Sequence, residues 1–211
     1  ASHELRTPLT VIRGYSEILQ KDNIDDAQRD RAAARIETES IRMEKLVKDL
    51  LTLTRADSIK TLNFRKIDIK NIIEEYFKDL TENNSRRTII FSGQSSAVIN
   101  SDEESMRQLF SNISQNILRH TPADAKVEIK IIQSATNTEI VIDDSGPGIP
   151  IALRSQVFER FSRLDESRSR DTGGFGLGMS IIKSVVDKHN GQIFLEDSVF
   201  NGLRIRLIFP N

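Results

Sequence analysis

The 211-residue sequence contains no cysteine and no tryptophan. Without thiols it has no disulfide framework, no thiolate metal site and no catalytic cysteine, a composition that fits a reducing compartment. Neither charge is in excess: 30 Lys and Arg stand against 31 Asp and Glu, a formal net charge of −1. No global field therefore draws the chain to nucleic acid or to an anionic membrane, and any phosphate binding is local. No run reaches the roughly 18 consecutive apolar residues that cross a bilayer, and the N-terminus lacks the basic-then-apolar layout of a signal peptide. What is present, 37% hydrophobic and 29% charged residues, is ordinary for a soluble folded protein. Ala1-Ser2-His3-Glu4-Leu5 reads as a helix already under way with no capping residue, so natural sequence upstream is expected.

Apolar side chains recur at Leu5, Leu9, Ile12 and Leu19, and again at Ile36, Met43, Val47, Leu50 and Thr54, close to alternating three and four spacing. That spacing predicts two amphipathic helices. The polar stretch Lys21-Asp22-Asn23-Ile24-Asp25-Asp26 between them suits the turn of a helical hairpin. Two helices make a poor core alone, so the hairpin is expected to dimerise into a four-helix bundle. After Arg55-Ala56-Asp57-Ser58 the texture changes. Short β-rich runs appear at 88–91, 127–132, 139–142, 192–195 and 203–209, interleaved with helical patterns near 69–82, 102–119 and 178–189. The fold expected is therefore multidomain, α followed by α+β. A helical dimerisation unit over 1–57 precedes an α/β sandwich over 58–211, with Asp57-Ser58-Ile59-Lys60 as the hinge. Alternation at Arg204 and Arg206 predicts a sheet with one wet face. The segment from Pro147 to Thr172, polar but with Phe158 and Phe161 embedded, reads as a long lid.

His3 precedes Thr7 by one turn, on a helix face offset from the apolar stripe. Its neighbour Glu4 is placed to hold one ring nitrogen and make the other more nucleophilic toward phosphorus. Pro8 removes the hydrogen bond to the carbonyl of Glu4 and should bend the helix after the site. Taken alone, a histidine near a chain end reads as a solvated side chain.

Asn112 and Asn116 lie four residues apart on the helical pattern beside the stripe Met106, Leu109, Ile113 and Ile117, with Arg119 and His120 near the same face. A carboxamide oxygen suits a Mg²⁺ ion whose other positions go to phosphates and water, and Arg119 suits a phosphate. By themselves these residues equally describe an ordinary helix with a polar shoulder. Glu139 to Asp144 reads as a strand delivering a carboxylate at its end, before Ser145-Gly146-Pro147-Gly148. Asp144 can accept from the exocyclic amine of adenine while Gly146 and Gly148 allow close backbone approach, although a plain Gly-Pro turn explains the string as well. Gly173-Gly174-Phe175-Gly176-Leu177-Gly178 leads into a helix whose N-terminus can cradle phosphate. It lacks the Gly-Lys-Ser/Thr ending of a P-loop and the strand-turn context of a Rossmann fingerprint.

Order joins these strings. Ser2-His3-Glu4-Leu5-Arg6-Thr7-Pro8-Leu9-Thr10 resembles the phosphoacceptor box of sensor histidine kinases. The asparagine helix, Asp144 with its glycines, Phe158-Glu159-Arg160-Phe161 and the last glycine loop resemble the N, G1, F and G2 boxes of their ATP-binding domain, which shares its fold with gyrase. The resemblance implies that His3 is autophosphorylated, that Glu4 assists as base, and that Thr7 positions water when the same unit dephosphorylates its partner. It implies that Asn116 holds Mg²⁺ with support from Asn112, that Arg119 takes the place of a lysine on phosphate, and that Asp144 binds adenine. His120, Gly146, Gly148, Phe161 and Leu177 would complete the ATP site, and Gly174, Gly176 and Gly178 would shape the phosphate end of the lid. Departures are Ile117 for alanine, His120 for tyrosine, Phe175 for serine or threonine, and Gln115 for glutamate, where no general base is assigned.

The implied activity is an ATP:protein-histidine phosphotransferase acting as a homodimer. Its acceptor would be an aspartate on a separate response regulator, because no receiver-like segment follows the last strand. The implied setting is the cytoplasmic portion of a membrane-anchored bacterial protein. Two other readings remain: a nucleotide-driven switch of the same fold with no modified histidine, and a relay module that carries phosphate through His3 without using ATP. His120 and His189 are otherwise expected to be structural or solvent-facing.

Overall fold

The computed structural model describes residues 2–21, 23–57, 62–82, 86–162 and 175–211. The expected hinge at 58–60, Gly174 and the stretch 163–172 of the expected lid lie outside the described residues.

Helices α1 (Ser2–Leu19) and α2 (Asp26–Asp57) form the hairpin, turning at the polar stretch as its composition requires. The Asp25 carboxylate accepts from the Gln28 amide at 2.6 Å and so satisfies one of the unpaired donors that open α2. Pro8 sits inside α1 and is buried. The predicted stripe is not the buried face of α2: Ile36, Met43 and Leu50 are half-buried and Val47 is 41% exposed, as Leu9 of α1 is 56% exposed, whereas Leu46 and Leu53, outside that stripe, are buried because they dock on the sandwich.

The rest is a sandwich of helices on one face of a sheet. Strand β1 (Phe64–Asp68) leads into α3 (Ile69–Glu82), followed by β2 (Thr88–Gly93), β3 (Val98–Asp102) and α4 (Glu103–His120). Then come β4 (Lys126–Gln133), β5 (Asn137–Asp144), two short 3₁₀ turns at Ile151–Leu153 and Gln156–Phe158, α5 (Gly178–Lys188), β6 (Gln192–Asp197) and β7 (Leu203–Pro210). The main sheet runs β2-β4-β5-β7-β6, with β2 parallel to β4 and the other pairs antiparallel, while β1 and β3 form a separate antiparallel pair.

Alternation sorts the sheet's two faces. Val127, Ile129, Ile131, Ile140, Ile142, Ile205, Leu207 and Phe209 are buried against α3, α4 and α5, joined by Ile73, Phe77, Leu109, Phe110, Ile113, Ile182 and Val186. The opposite face carries the predicted charges, which pair across strands. Arg204 grips Asp143 with Nε and Nη2, each at 3.0 Å from a different carboxylate oxygen, and Arg206 donates to Glu196 at 2.7 Å while stacking 4.3 Å from the Phe194 ring. Residues 147–162 are built structure. Val157 is buried, and Arg154 ties the turns to the Ile149 carbonyl at 2.9 Å and to the Leu195 carbonyl at 3.2 Å.

Candidate nucleotide site

Helix α4 is set by its ends. Asp102 is the N-cap, accepting from the Ser105 amide at 2.8 Å, and acidic Glu103 and Glu104 in the first turn and Arg119 in the last complement the helix dipole. With Met106, Leu109, Phe110, Ile113 and Ile117 turned into the core, Asn112, Asn116 and Arg119 are left on the shoulder. That shoulder forms one wall of a cavity of about 400 Å³ between α4, the end of β5 and the start of α5.

The asparagine oxygens converge. A Cβ placed on Gly178 would meet Asn116 Oδ1 at 3.3 Å and Asn112 Oδ1 at 3.4 Å, so glycine lets α5 start against the two amides. The amide nitrogens are directed elsewhere: Asn112 Nδ2 donates to the Gln108 carbonyl at 2.8 Å, and Asn116 Nδ2 contacts the Met179 sulfur at 3.4 Å. Each oxygen thus keeps acceptor capacity on the cavity side, a donor set suited to one hard cation that takes its remaining ligands from phosphate and water. Among the described residues, no group of three or more His, Asp and Glu is placed to hold a metal by protein ligands alone.

Asp144 reaches the cavity by strand alternation. Thr138, Ile140, Ile142 and Asp144 all point inward along β5, so the carboxylate continues an otherwise apolar face. Its Oδ1 accepts from the Gly146 amide at 2.7 Å and the Leu203 amide at 3.2 Å. Burial pushes the carboxyl up, and the two backbone amides draw it partly back. Gly148 holds φ +68°, a conformation that suits glycine, and lines the cavity beside Pro147 and Ile149. Ile117, Val157, Leu177, Leu203 and Ile205 supply the apolar lining that a purine ring needs.

The cavity gathers Asn112, Asn116, Arg119, His120, Asp144, Gly148, Gly176, Leu177 and Gly178. Gly146 stands behind Asp144 as its amide donor, and Phe161 donates its amide to the Gly176 carbonyl at 3.0 Å from one layer back. Burial and Arg119 lower the pKa of His120 and Asp144 raises it, leaving a net downward shift. His189, the other histidine expected to be structural or solvent-facing, is structural. It is buried, with Nδ1 2.8 Å from the Val185 carbonyl and Nε2 accepting from the Asp102 amide at 3.2 Å. The histidine box lies elsewhere, in the first turns of α1. Glu4 is half-buried, Thr7 is exposed, and neither lines the cavity.

Sequence reasoning missed the contribution of α2. Lys45 and Asp49 line the cavity, Lys45 Nζ donates to Gln115 Oε1, and the Arg42 guanidinium lies 5.2 Å from the ring centre of buried Phe175. In the sequence, Lys45 and Asp49 look like the wet side of an amphipathic helix, and no local pattern marks them. Phe175, a departure from the family pattern, proves to be a packing residue between α2 and the glycine loop.

Comparison with known proteins shows the family. Residues 1–59 match the His Kinase A (phospho-acceptor) domain, and residues 101–211 match the histidine kinase-, DNA gyrase B- and HSP90-like ATPase family. The probable sensor histidine kinase TcrY of Mycobacterium tuberculosis is 37% identical over 94% of this chain, and the phosphate regulon sensor protein PhoR of Haemophilus influenzae is 32% identical over 99%. The chain spans 42% and 49% of the lengths of those relatives. A solved structure of histidine kinase ThkA in complex with response regulator protein TrrA superposes with a TM-score of 0.79 at 22% identity, covering 99% of this chain and 59% of that one. The chain therefore belongs to the sensor histidine kinases and carries their phosphoacceptor hairpin and ATPase-type sandwich.

Proposed function

We propose that this chain is a kinase core that uses ATP and Mg²⁺ to phosphorylate His3 and then passes the phosphoryl group to an aspartate of a separate response regulator. The observation that carries the reading is the joint presence of two things in one chain. One is a histidine box at the start of α1. The other is a cavity where amide oxygens, an inward carboxylate and a glycine-bordered helix start converge.

In this reading Asp144 Oδ1 stays occupied by its backbone donors and Oδ2 accepts from the adenine amine, while Ile117, Leu203 and Ile205 cover the ring. Asn112 and Asn116 offer oxygens at the phosphate end, and Arg119 adds a cation there. Bound Mg²⁺ supplies charge neutralisation on the phosphates. A His3 ring nitrogen forms a bond to the γ-phosphorus as the bond to the β-phosphate oxygen breaks. ADP leaves, and the displaced ring proton passes to Glu4 or water. Transfer to an aspartate then returns the histidine to its neutral form. Thr7, exposed one turn beyond His3, would position water when the same surface dephosphorylates the regulator.

The presence of a response regulator in the ThkA complex supports that partner class for this chain. The exposed apolar positions on the hairpin support a homodimer in which a second copy covers them, the two hairpins making a four-helix bundle. Among the described residues no helix is long and apolar enough to cross a membrane. Any membrane attachment in this reading would come from sequence other than these residues.

The test is incubation with γ-labelled ATP and Mg²⁺. The expected label is acid-labile and alkali-stable, and it is lost in His3→Gln and in Asn116→Ala. Label that survives in His3→Gln removes the assignment of the acceptor.

A further inference from the structure

The nucleotide cavity is not confined to the sandwich. Helix α2 lays a stripe across its mouth, with Arg42, Lys45, Leu46, Asp49 and Leu53 spaced at helical intervals. Leu46 and Leu53 are 0% and 2% exposed and belong to the same core as α3, α4 and α5. They anchor the helix, so the position of Lys45 beside Leu46 is fixed by packing rather than left to a solvated side chain.

Arg42 is paired with buried Glu39 at 3.6 Å, and the two ionised residues of the stripe that line the cavity, Lys45 and Asp49, are joined there by a second cation, Arg119. Asp49 is pushed up by burial and drawn down by three cations, Lys45, Arg119 and Lys48. Lys45 is pushed down by burial and by Arg119, with only Asp49 opposing. Asp144 belongs to the other end, where its charged neighbours are Asp143 and His120. The α2 end of the cavity thus holds an excess of positive charge, bounded by the amide oxygens of Asn112 and Asn116 and by the start of α5. The hydrogen-bond acceptor of the Lys45 ammonium here is the neutral side-chain oxygen of Gln115. An amide is a weaker partner for an ammonium than a phosphate oxygen, which adds opposite charge to the same hydrogen bond.

We propose that α2 forms part of the nucleotide site, with Lys45 exchanging Gln115 for the phosphate chain of bound ATP. The inference rests on the ATP reading above and adds a residue from the phosphoacceptor hairpin to it. Nucleotide affinity then depends on the docking of hairpin and sandwich. The triphosphate also lies against the hairpin that carries His3. Asp49 opposes the polyphosphate and limits how tightly it is held.

Calorimetric titration of the whole chain with ATP and with adenosine, both in the presence of Mg²⁺, tests this. Lys45→Met is expected to weaken ATP binding by about tenfold and to leave adenosine binding unchanged. Asp49→Asn is expected to tighten ATP by a few fold. Lys130→Met, which removes the same charge from an exposed position on β4, should match the wild type. Unchanged ATP affinity in Lys45→Met overturns the proposal, and so does an equal loss for ATP and adenosine. A wild-type chain that binds neither ligand removes the nucleotide reading itself, a result distinct from both.

Discussion

In the sandwich a continuous set of large apolar side chains is inside, with Phe77, Leu109, Ile113, Ile129, Ile140 and Leu207 all fully buried, while Leu118, Ile151 and Val199 stand at its surface. In the hairpin Leu9, Ile41, Val47 and Leu51 are outside, 56%, 61%, 41% and 52% exposed, and its best-buried leucines, Leu46 and Leu53, pack into the core of the sandwich. One half finishes its core within the chain and the other does not. The contrast indicates a division of labour. The sandwich supplies most of the pocket from its own elements, with Lys45 and Asp49 of α2 closing one side, whereas the hairpin is built to be completed by other surfaces: the sandwich along the Leu46 side and, in our proposal, a second hairpin along the other.

The contrast can be broken from either side. The largest expected effect on binding is at the sandwich pocket. In Asp144→Asn the remaining amide oxygen still accepts from Gly146 and Leu203, but an NH₂ group replaces Oδ2 and meets the amine of adenine donor to donor. ATP affinity should fall on the order of a hundredfold. Because burial disfavours the charged carboxylate, thermal stability at neutral pH should hold or rise. Calorimetry and thermal melts read both, and a lost fold together with lost binding would contradict the assignment. Next is the seam between the halves. Leu46→Ala empties a fully buried site shared by hairpin and sandwich, at about 2–5 kcal/mol, measured by urea unfolding. A cost near zero would mean that the halves are not packed as described. Smaller in energy is the outer face of the hairpin. Ile41→Lys combined with Leu51→Lys should convert a dimer to a monomer in sedimentation while the sandwich melts at the same temperature, and a persisting dimer would place the interface elsewhere.

The smallest effect sharpens how self-sufficient the sandwich is. His189 links α5 to the cap of α4 as a neutral imidazole, between the Val185 carbonyl and the Asp102 amide, with Phe64 and Phe209 against its ring. Burial lowers its pKa below 6.5, Asp102 and the Val185 carbonyl draw it up, and Lys188 lowers it further. Below about pH 6.5 the unfolded chain binds a proton that the folded chain resists, so stability declines as pH falls through that window. The slope should flatten in His189→Gln, and an identical slope in both would assign the dependence to another group.

Periodicity made the hairpin, the core helices and all five strands of the main sheet legible: the central strands and core helices have one buried face, and the edge strands β2 and β6, only half-buried, still show as short β-branched and aromatic runs. Strands β1 and β3 were not. Phe-Arg-Lys-Ile-Asp and Val-Ile-Asn-Ser-Asp are short and half polar, and they pair with each other across an intervening helix and strand, so no local turn announces them. The cavity residues that sit in ordered motifs, Asn112, Asn116, Asp144 and the closing glycines, were visible as motifs. Lys45 and Asp49 were not, because what distinguishes them is which surface their helix docks against, and that depends on Leu46 and Leu53 finding the sandwich core.

The most direct measurement is mass spectrometry of the chain after incubation with ATP and Mg²⁺, fragmented under alkaline conditions that preserve phosphohistidine. The account predicts a single phosphoryl group, located on His3. A phosphoryl group on another residue, or an unmodified chain that nonetheless binds ATP, would contradict it.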